Sequence, residues 1–251
     1  MNEETNTSIG AEAPTMSRFE ELKALVAAAE ADQIGYLESP KTDMMLGIEA
    51  IYNVCREAGI STKDIEGIAN PGNANGYAEY LGIVPKWVDT TAVGGCSFML
   101  HVRHAAAAIN EGLCKTVLIT HGESGASRVG MPGTRFGPDA FRMQFENPFG
   151  LAGPPTGYAL AATRHMHQYG TTSEQLAELA VSTRKWAQRN PRAMMRDPLT
   201  VDDVLSSRMI SWPLHLLDCC LVTDAGGAVV VTSAARARDL PKRPVYVLGT
   251  G

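Results

Sequence analysis

Residues 94–121 decide the fold: Gly94-Gly95-Cys96-Ser97, then an apolar run from Phe98 to Ile109 broken only by His101, Arg103 and His104, then Thr116-Val117-Leu118-Ile119-Thr120-His121. The run is long enough for a helix and apolar on most of its sides, which predicts a helix in the middle of a domain. Gly112 ends it, and the segment from Thr116 to Thr120, rich in β-branched residues, reads as a buried strand. The unit is a glycine loop, a buried helix and a central strand.

On the N-terminal side, Leu25-Val26-Ala27-Ala28-Ala29 is a candidate strand whose alanines would equally suit a helix. Met44 to Ala58 carries apolar residues at Met45, Ile48, Ile51, Tyr52 and Cys55, which predicts a helix stopped by Gly59. Ile65 to Ala69 reads as a short strand ended by the turn cluster Asn70-Pro71-Gly72-Asn73, Tyr77 to Leu81 as a short helix, and Trp87-Val88 as an edge strand. On the C-terminal side, Gly122 to Gly153 is irregular, the kind of stretch that covers a site or an interface. Helices are predicted from about Tyr158 to Tyr169, from Ser173 to Gln188 and from Val201 to Ser206. Asp224-Ala225-Gly226-Gly227-Ala228 reads as a tight glycine turn feeding a strand from Val229 to Val231, followed by a helix from Ser233 to Leu240 and a strand starting at Val245. Strands alternating with helices make this an α/β protein. Residues 1–21 are polar and aperiodic and read as a disordered tail, and 22–251 as one domain with a loop or cap insertion at about 122–212.

Composition narrows the function. The 251 residues are 45% apolar and 20% charged, an ordinary globular mix. A net charge of -5 leaves no basic surplus for a phosphate backbone, so nucleic acid is not an expected partner. No apolar run reaches the roughly 20 residues needed to span a bilayer, and no signal pattern opens the chain, so the expected location is cytoplasmic. The five cysteines have no metal-ligand spacing, so neither a disulfide framework nor a zinc site is expected, and most should be reduced and buried. His101 and His104 lie one turn apart on the central helix with no third ligand spaced to join them. They are expected to bond neighbouring backbone instead of a metal. His165 and His167 fall on an amphipathic helix and receive no role. No phosphate loop, dinucleotide fingerprint or hydrolase elbow is present.

Three motifs in order carry a resemblance: Gly94-Gly95-Cys96-Ser97 before the buried helix, His121-Gly122-Glu123-Ser124 after the next strand, and Asp224-Ala225-Gly226-Gly227-Ala228 before another. Their order and spacing resemble the thiolase superfamily, and most of all its lipid-transfer or sterol-carrier-type proteins and retro-aldolases. The likeness covers about Leu25 to Gly251. It implies a thiolase-like fold, a mixed sheet with a buried central helix, of which this chain holds the N-terminal half with its loop region. It also implies carbon-carbon bond formation or cleavage beside a coenzyme A thioester.

In thiolases a cysteine at the start of the buried helix carries the acyl group, and Cys96 is the candidate here. A thiol at a helix N-terminus meets unpaired amides and the positive end of the dipole, both of which favour thiolate. Counting back from Ala108, Ile109 and Gly112, however, the family cysteine falls on Gly95. One position turns a side chain by about 100° around a helix, so Cys96 has a packing role as its alternative. In the retro-aldolase variant no acyl-enzyme forms; Gly94 and Gly95 serve the thioester oxygen through backbone amides, and Ser97 caps the helix. His121, at the end of a central strand, is the second catalytic candidate, with an interior structural histidine as the other reading.

Coenzyme A enters as the substrate's carrier, and no tightly bound cofactor is expected. Apolar walls and cations for it are sought at Arg135 and Met143, among Arg128, Phe136, Phe141 and Arg142. The family resemblance also implies a homodimer, a further chain supplying a C-terminal half, and an OB-fold zinc protein as partner. Against an enzyme subunit stands a non-catalytic lipid-transfer or scaffold subunit.

Overall fold

The computed structural model describes residues 23–130, 140–151 and 153–250. The expected tail and Arg135 lie outside these residues. In chain order the elements are β1 (Lys23–Glu30), α1 (Asp43–Ala58), β2 (Gly67–Ala69), α2 (Ala74–Leu81), β3 (Trp87–Asp89), α3 (Ser97–Asn110) and β4 (Thr116–Ser124). There follow α4 (Phe141–Phe145), α5 (Pro154–Tyr169), α6 (Ser173–Ala187), α7 (Val201–Ser206), β5 (Met209–Ser211), β6 (Leu214–His215), β7 (Asp224–Ser233), α8 (Ala234–Ala237) and β8 (Val245–Val247). The chain divides into two compact units, one of residues 1–131 with 223–251 and one of 132–222.

The first unit is built on a six-stranded mixed sheet in the order β3-β2-β4-β7-β1-β8. β3, β2 and β4 run parallel, and β7, β1 and β8 join by antiparallel pairing. The period-two alternation of β4 and β7 sends side chains to opposite faces. Leu118 and Val230 pack with α1 and α2 in one core, while Val117, Ile119 and Val231 pack with Ala105, Ala108 and Ile109 of α3 in the other. The alanine-rich first segment is a strand because it is paired on both sides, by β7 and by β8. Tertiary pairing overrides the helical leaning of alanine.

Helix α1 starts at Thr42, whose side chain accepts from Met45 N, and ends at Gly59 in the left-handed conformation. It lies unusually close to the sheet. A Cβ on Gly122 would stand 1.8 Å from Asp43 O, and one on Gly226 would stand 2.2 Å from Leu46 O. This corrects the expected glycine turn. Asp224 to Ser233 is one continuous strand, and its glycine serves the backbone of α1 passing over it, a use of strand glycine as common as a turn. Strand β4 likewise runs on through His121 to Ser124, in register with β7 from His121↔Gly227 to Ser124↔Asp224. The expected helix from Ser233 to Leu240 is only the single turn α8.

Helix α3 presents Ser97, His101, Ala105, Ala108 and Ile109 to the sheet. These fall at the i, i+4, i+8 spacing of one helical face. Its other side is open in this chain, with Met99 75% exposed.

The second unit holds α4 to α7 and the β5–β6 hairpin. Its core is Ala177, Val181 and Val204, packed by Leu199, Leu205 and Leu217. Helices α6 and α7 open on Thr172 and Thr200, each in a reciprocal capping box with Gln175 and Asp203. No helix among the described residues is long and apolar enough to cross a membrane.

Candidate active site

The site assembles where the loop after β3 enters α3. Gly94 sits at φ 85°, the left-handed region, and a Cβ on either Gly94 or Gly95 would meet nothing within 4 Å. The loop therefore borders open space. Among the described residues the amides of Gly94, Gly95 and Cys96 make no hydrogen bond, as befits the unpaired start of a helix.

Cys96 is the N-cap residue, exposed, and its thiol donates to Val93 O at 3.4 Å. Ser97 corrects the expectation of a cap. It is the first helical residue, fully buried, and its hydroxyl points back to donate to Gly94 O at 2.6 Å while accepting from Val93 N at 2.9 Å. The serine thus holds the loop shut on itself. Of the five thiols only Cys55 and Cys114 are buried, against the expectation that most would be; Cys96 and Cys220 lie in non-regular chain at the surface. Burial pushes both buried thiols up to about 11, with Asp64 adding to the effect on Cys55 and Glu66 to that on Cys114.

His121 lies on the same sheet face as α3. The ring of Phe98, two residues beyond Cys96, packs on its imidazole at a centroid separation of 5.3 Å and a tilt of 44°. Glu123 Oε2 stands 3.9 Å from His121 Nε2, and the histidine side chain is 31% exposed. The structure thus brings His121 to the helix start that carries Gly94, Gly95, Cys96 and Ser97. Met143 belongs to the second unit, where its sulfur accepts from Asn147 Nδ2 at 3.1 Å.

The two helix histidines divide. His101 is fully buried and its Nε2 donates to Thr91 O at 2.9 Å, as expected of a histidine bonding neighbouring backbone. His104 departs from that expectation: its Nδ1 donates to the Asp89 carboxylate at 2.6 Å. Burial pushes the Asp89 carboxyl up, but the Thr91 hydroxyl and amide and the His104 ring outweigh it and hold it below its ordinary value. His104 and Asp89 stand in the wall of a groove of about 380 Å³ lined also by Trp87, Ala107, Glu111 and Leu113. Among the described residues no group of three His, Cys, Asp or Glu side chains is placed to hold a metal.

Asp89 and Thr91 receive no site role from the sequence, and Asn70 appears there only as part of a turn. The signal for the first two was local: Asp89 Oδ1 accepts from Thr91 N at 2.9 Å, the turn that an Asp-x-Thr triplet favours.

No family model matches the chain. It is similar to the steroid side-chain-cleaving aldolase of Thermomonospora curvata, 34% identical over 244 residues that cover 91% of this chain and 62% of the relative. It is similar also to the 17-hydroxy-3-oxo-4-pregnene-20-carboxyl-CoA lyase of Mycobacterium tuberculosis, 35% identical over 222 residues, 83% of this chain and 57% of that one. Among solved structures, an Ltp2-ChsH2(DUF35) aldolase matches with a TM-score of 0.80 at 31% identity, over 92% of this chain and 60% of that chain. A monomeric SCP2-thiolase-like protein from Mycobacterium smegmatis shares the fold, with a TM-score of 0.69 at 21% identity over 92% of this chain and 50% of that chain. The chain has a thiolase-like fold, and its homologues are thiolase-like proteins. These relatives include aldolases and a CoA lyase by name, and the chain spans about three fifths of their length.

Proposed function

We propose that this chain binds a β-hydroxyacyl coenzyme A thioester at the Gly94-Gly95 loop and takes part in its retro-aldol cleavage. The observation that carries the reading is the set of three amides, Gly94, Gly95 and Cys96, left without an acceptor at the start of α3 and bordering open space. Donors fixed in advance are what a developing oxyanion needs. In the cleavage a base takes the proton of the β-hydroxyl, the bond between the α- and β-carbons breaks, and its electron pair passes into the thioester carbonyl as an enolate. The β-carbon becomes a carbonyl, and a proton returned to the α-carbon yields the shortened acyl-CoA. The loop amides stabilise the enolate oxygen, and His121 is the candidate for one of the two proton transfers. The lyase relative's name describes such a substrate, with a hydroxyl at carbon 17 lying β to its thioester carbonyl.

Cys96 favours this reading over covalent acyl transfer. The nucleophile of a thiolase must be free to attack, whereas the Cys96 sulfur is turned toward Val93 O at 3.4 Å. Its exposure at a helix start keeps acyl transfer as the second reading. Ser97 acts on the site by holding the loop. The likeness to an Ltp2-ChsH2(DUF35) aldolase supports a further polypeptide as partner, and a homodimer, a chain completing the fold or an OB-fold zinc protein are its candidate forms.

Calorimetry with an acyl-CoA thioether, which cannot be cleaved, tests the site. Saturable binding that is weakened about tenfold or more by Gly94→Val, and is unchanged by Cys96→Ser, is the expected result. Equal binding by all three proteins would remove the loop from the account.

A further inference from the structure

The loop of the proposed site does not hold its shape by itself. From Thr90 to Cys96 it has no secondary structure of its own, and a glycine pair is the least constrained sequence a chain can offer. What fixes it is a set of side chains that flank it: Ser97 closes it on Val93 and Gly94, and Asp89 holds its start. One carboxylate oxygen accepts from Thr91 N at 2.9 Å and from the Thr91 hydroxyl at 2.7 Å; the other accepts from His104 Nδ1 at 2.6 Å. His104 is two turns into α3, so this bond ties the first residues of the loop to the helix that the loop feeds. His101, one turn nearer the helix start, makes a second tie through Thr91 O.

Asp89 also faces the other half of the site. Its carbonyl accepts from Asn70 N at 3.0 Å, and the buried Asn70 side chain donates to Thr120 O at 2.8 Å, the residue before His121. Asn70 Oδ1 accepts in turn from Asn73 N at 2.9 Å, so the carboxamide is used at both ends. One hub thus connects the loop of Gly94, Gly95 and Cys96 with the strand that presents His121. A carboxylate accepting three hydrogen bonds at a site only 9% exposed is costly to disturb.

The geometry points to Asp89 and His104 as positioning residues: together they latch the glycine loop to helix α3 and set the spacing between its amides and His121. The latch is defined by its bonds, and its importance for thioester chemistry rests on the function proposed above.

Cys96 reports the state of the loop without any substrate. The whole chain is treated with iodoacetamide at pH 8, and the labelling rate of each cysteine is read from digests by mass spectrometry, for wild type, His104→Ala, His104→Asn and Thr91→Val. Asparagine keeps a donor near the place of Nδ1; alanine does not. The expected result is a change of at least fivefold in the Cys96 rate in His104→Ala, a smaller change in Thr91→Val, return to within twofold in His104→Asn, and an unchanged rate at Cys220. Protection of the buried Cys55 and Cys114 in the same digests shows that each variant is folded. If His104→Ala loses that protection, the comparison of Thr91→Val with wild type decides. A Cys96 rate within twofold of wild type in every folded variant, or an asparagine variant no better than alanine, would overturn the latch. Acyl-CoA thioether binding is measured on the same proteins. Its absence in wild type would remove the thioester reading, while the cysteine rates would still judge the latch.

Discussion

Cys55 and Cys96 carry the same side chain in opposite surroundings. Cys55 lies on the buried face of α1, and burial moves its thiol to about 11, so at pH 8 it is almost wholly protonated as well as covered. Cys114 is in the same position. Iodoacetamide at pH 8 should therefore label Cys96 and Cys220 in native protein and reach Cys55 and Cys114 only after denaturant is added; early labelling of either buried thiol would contradict the packing. Asp224 makes a second test at this scale. Burial raises its carboxyl, but hydrogen bonds from Ser127 and Ala126 outweigh this and hold it below the ordinary 3.8. Its folded pKa is thus lower than its unfolded one, so its contribution is present above the ordinary value and is lost as pH falls through the folded pKa. Urea midpoints followed from pH 7 down to pH 3 should fall at the acid end in wild type. In Asp224→Asn they should start lower at neutral pH and fall less steeply, and parallel curves would sink the assignment.

Among elements, the contact of α1 with the sheet is the most sensitive. Gly122→Ala and Gly226→Ala each place a methyl group into the backbone of α1, at Asp43 O and Leu46 O. Each should cost about 1–3 kcal/mol or more, the range for overfilling a packed core. Gly227→Ala is the control, since its Cβ would meet nothing within 4 Å. Equal denaturation midpoints for Gly226→Ala and Gly227→Ala would refute the close approach. This contact marks the limit of what the sequence could say. Helix α1, helix α3, strands β2 to β4 and the two long helices of the second unit were legible, because periodicity, Gly59, Gly112 and the Asn70-Pro71-Gly72-Asn73 cluster are local signals. The strand through Gly226 was not, because a glycine that opens a turn and one that admits a distant helix look alike in one dimension. The same reasoning separates Gly94 to Ser97, visible as a motif, from Asp89 and Asn70, whose partners at His104 and Thr120 become neighbours only after folding.

At the scale of the whole molecule, the sheet is covered by α1 and α2 on one face and by α3 on the other, and the outer side of α3 is open. Met99 on α3, Val93 before it and Leu113 after it are more than half exposed. An apolar flank of this kind suits a further layer, and the chain matches about three fifths of the length of these relatives. At the loop, the chemistry proposed is a thioester held by backbone amides and cleaved without passing onto Cys96. The most direct test incubates wild type and Cys96→Ser, each at substrate concentration, with a tertiary β-hydroxyacyl-CoA, and follows both the CoA products and the intact protein by mass spectrometry. The expected result is a ketone and a shortened acyl-CoA in equal amounts from both proteins, with no acyl mass added to either. An acyl adduct on wild type that is missing from Cys96→Ser, or cleavage that disappears in that variant, would contradict it and make Cys96 the nucleophile of a thiolase.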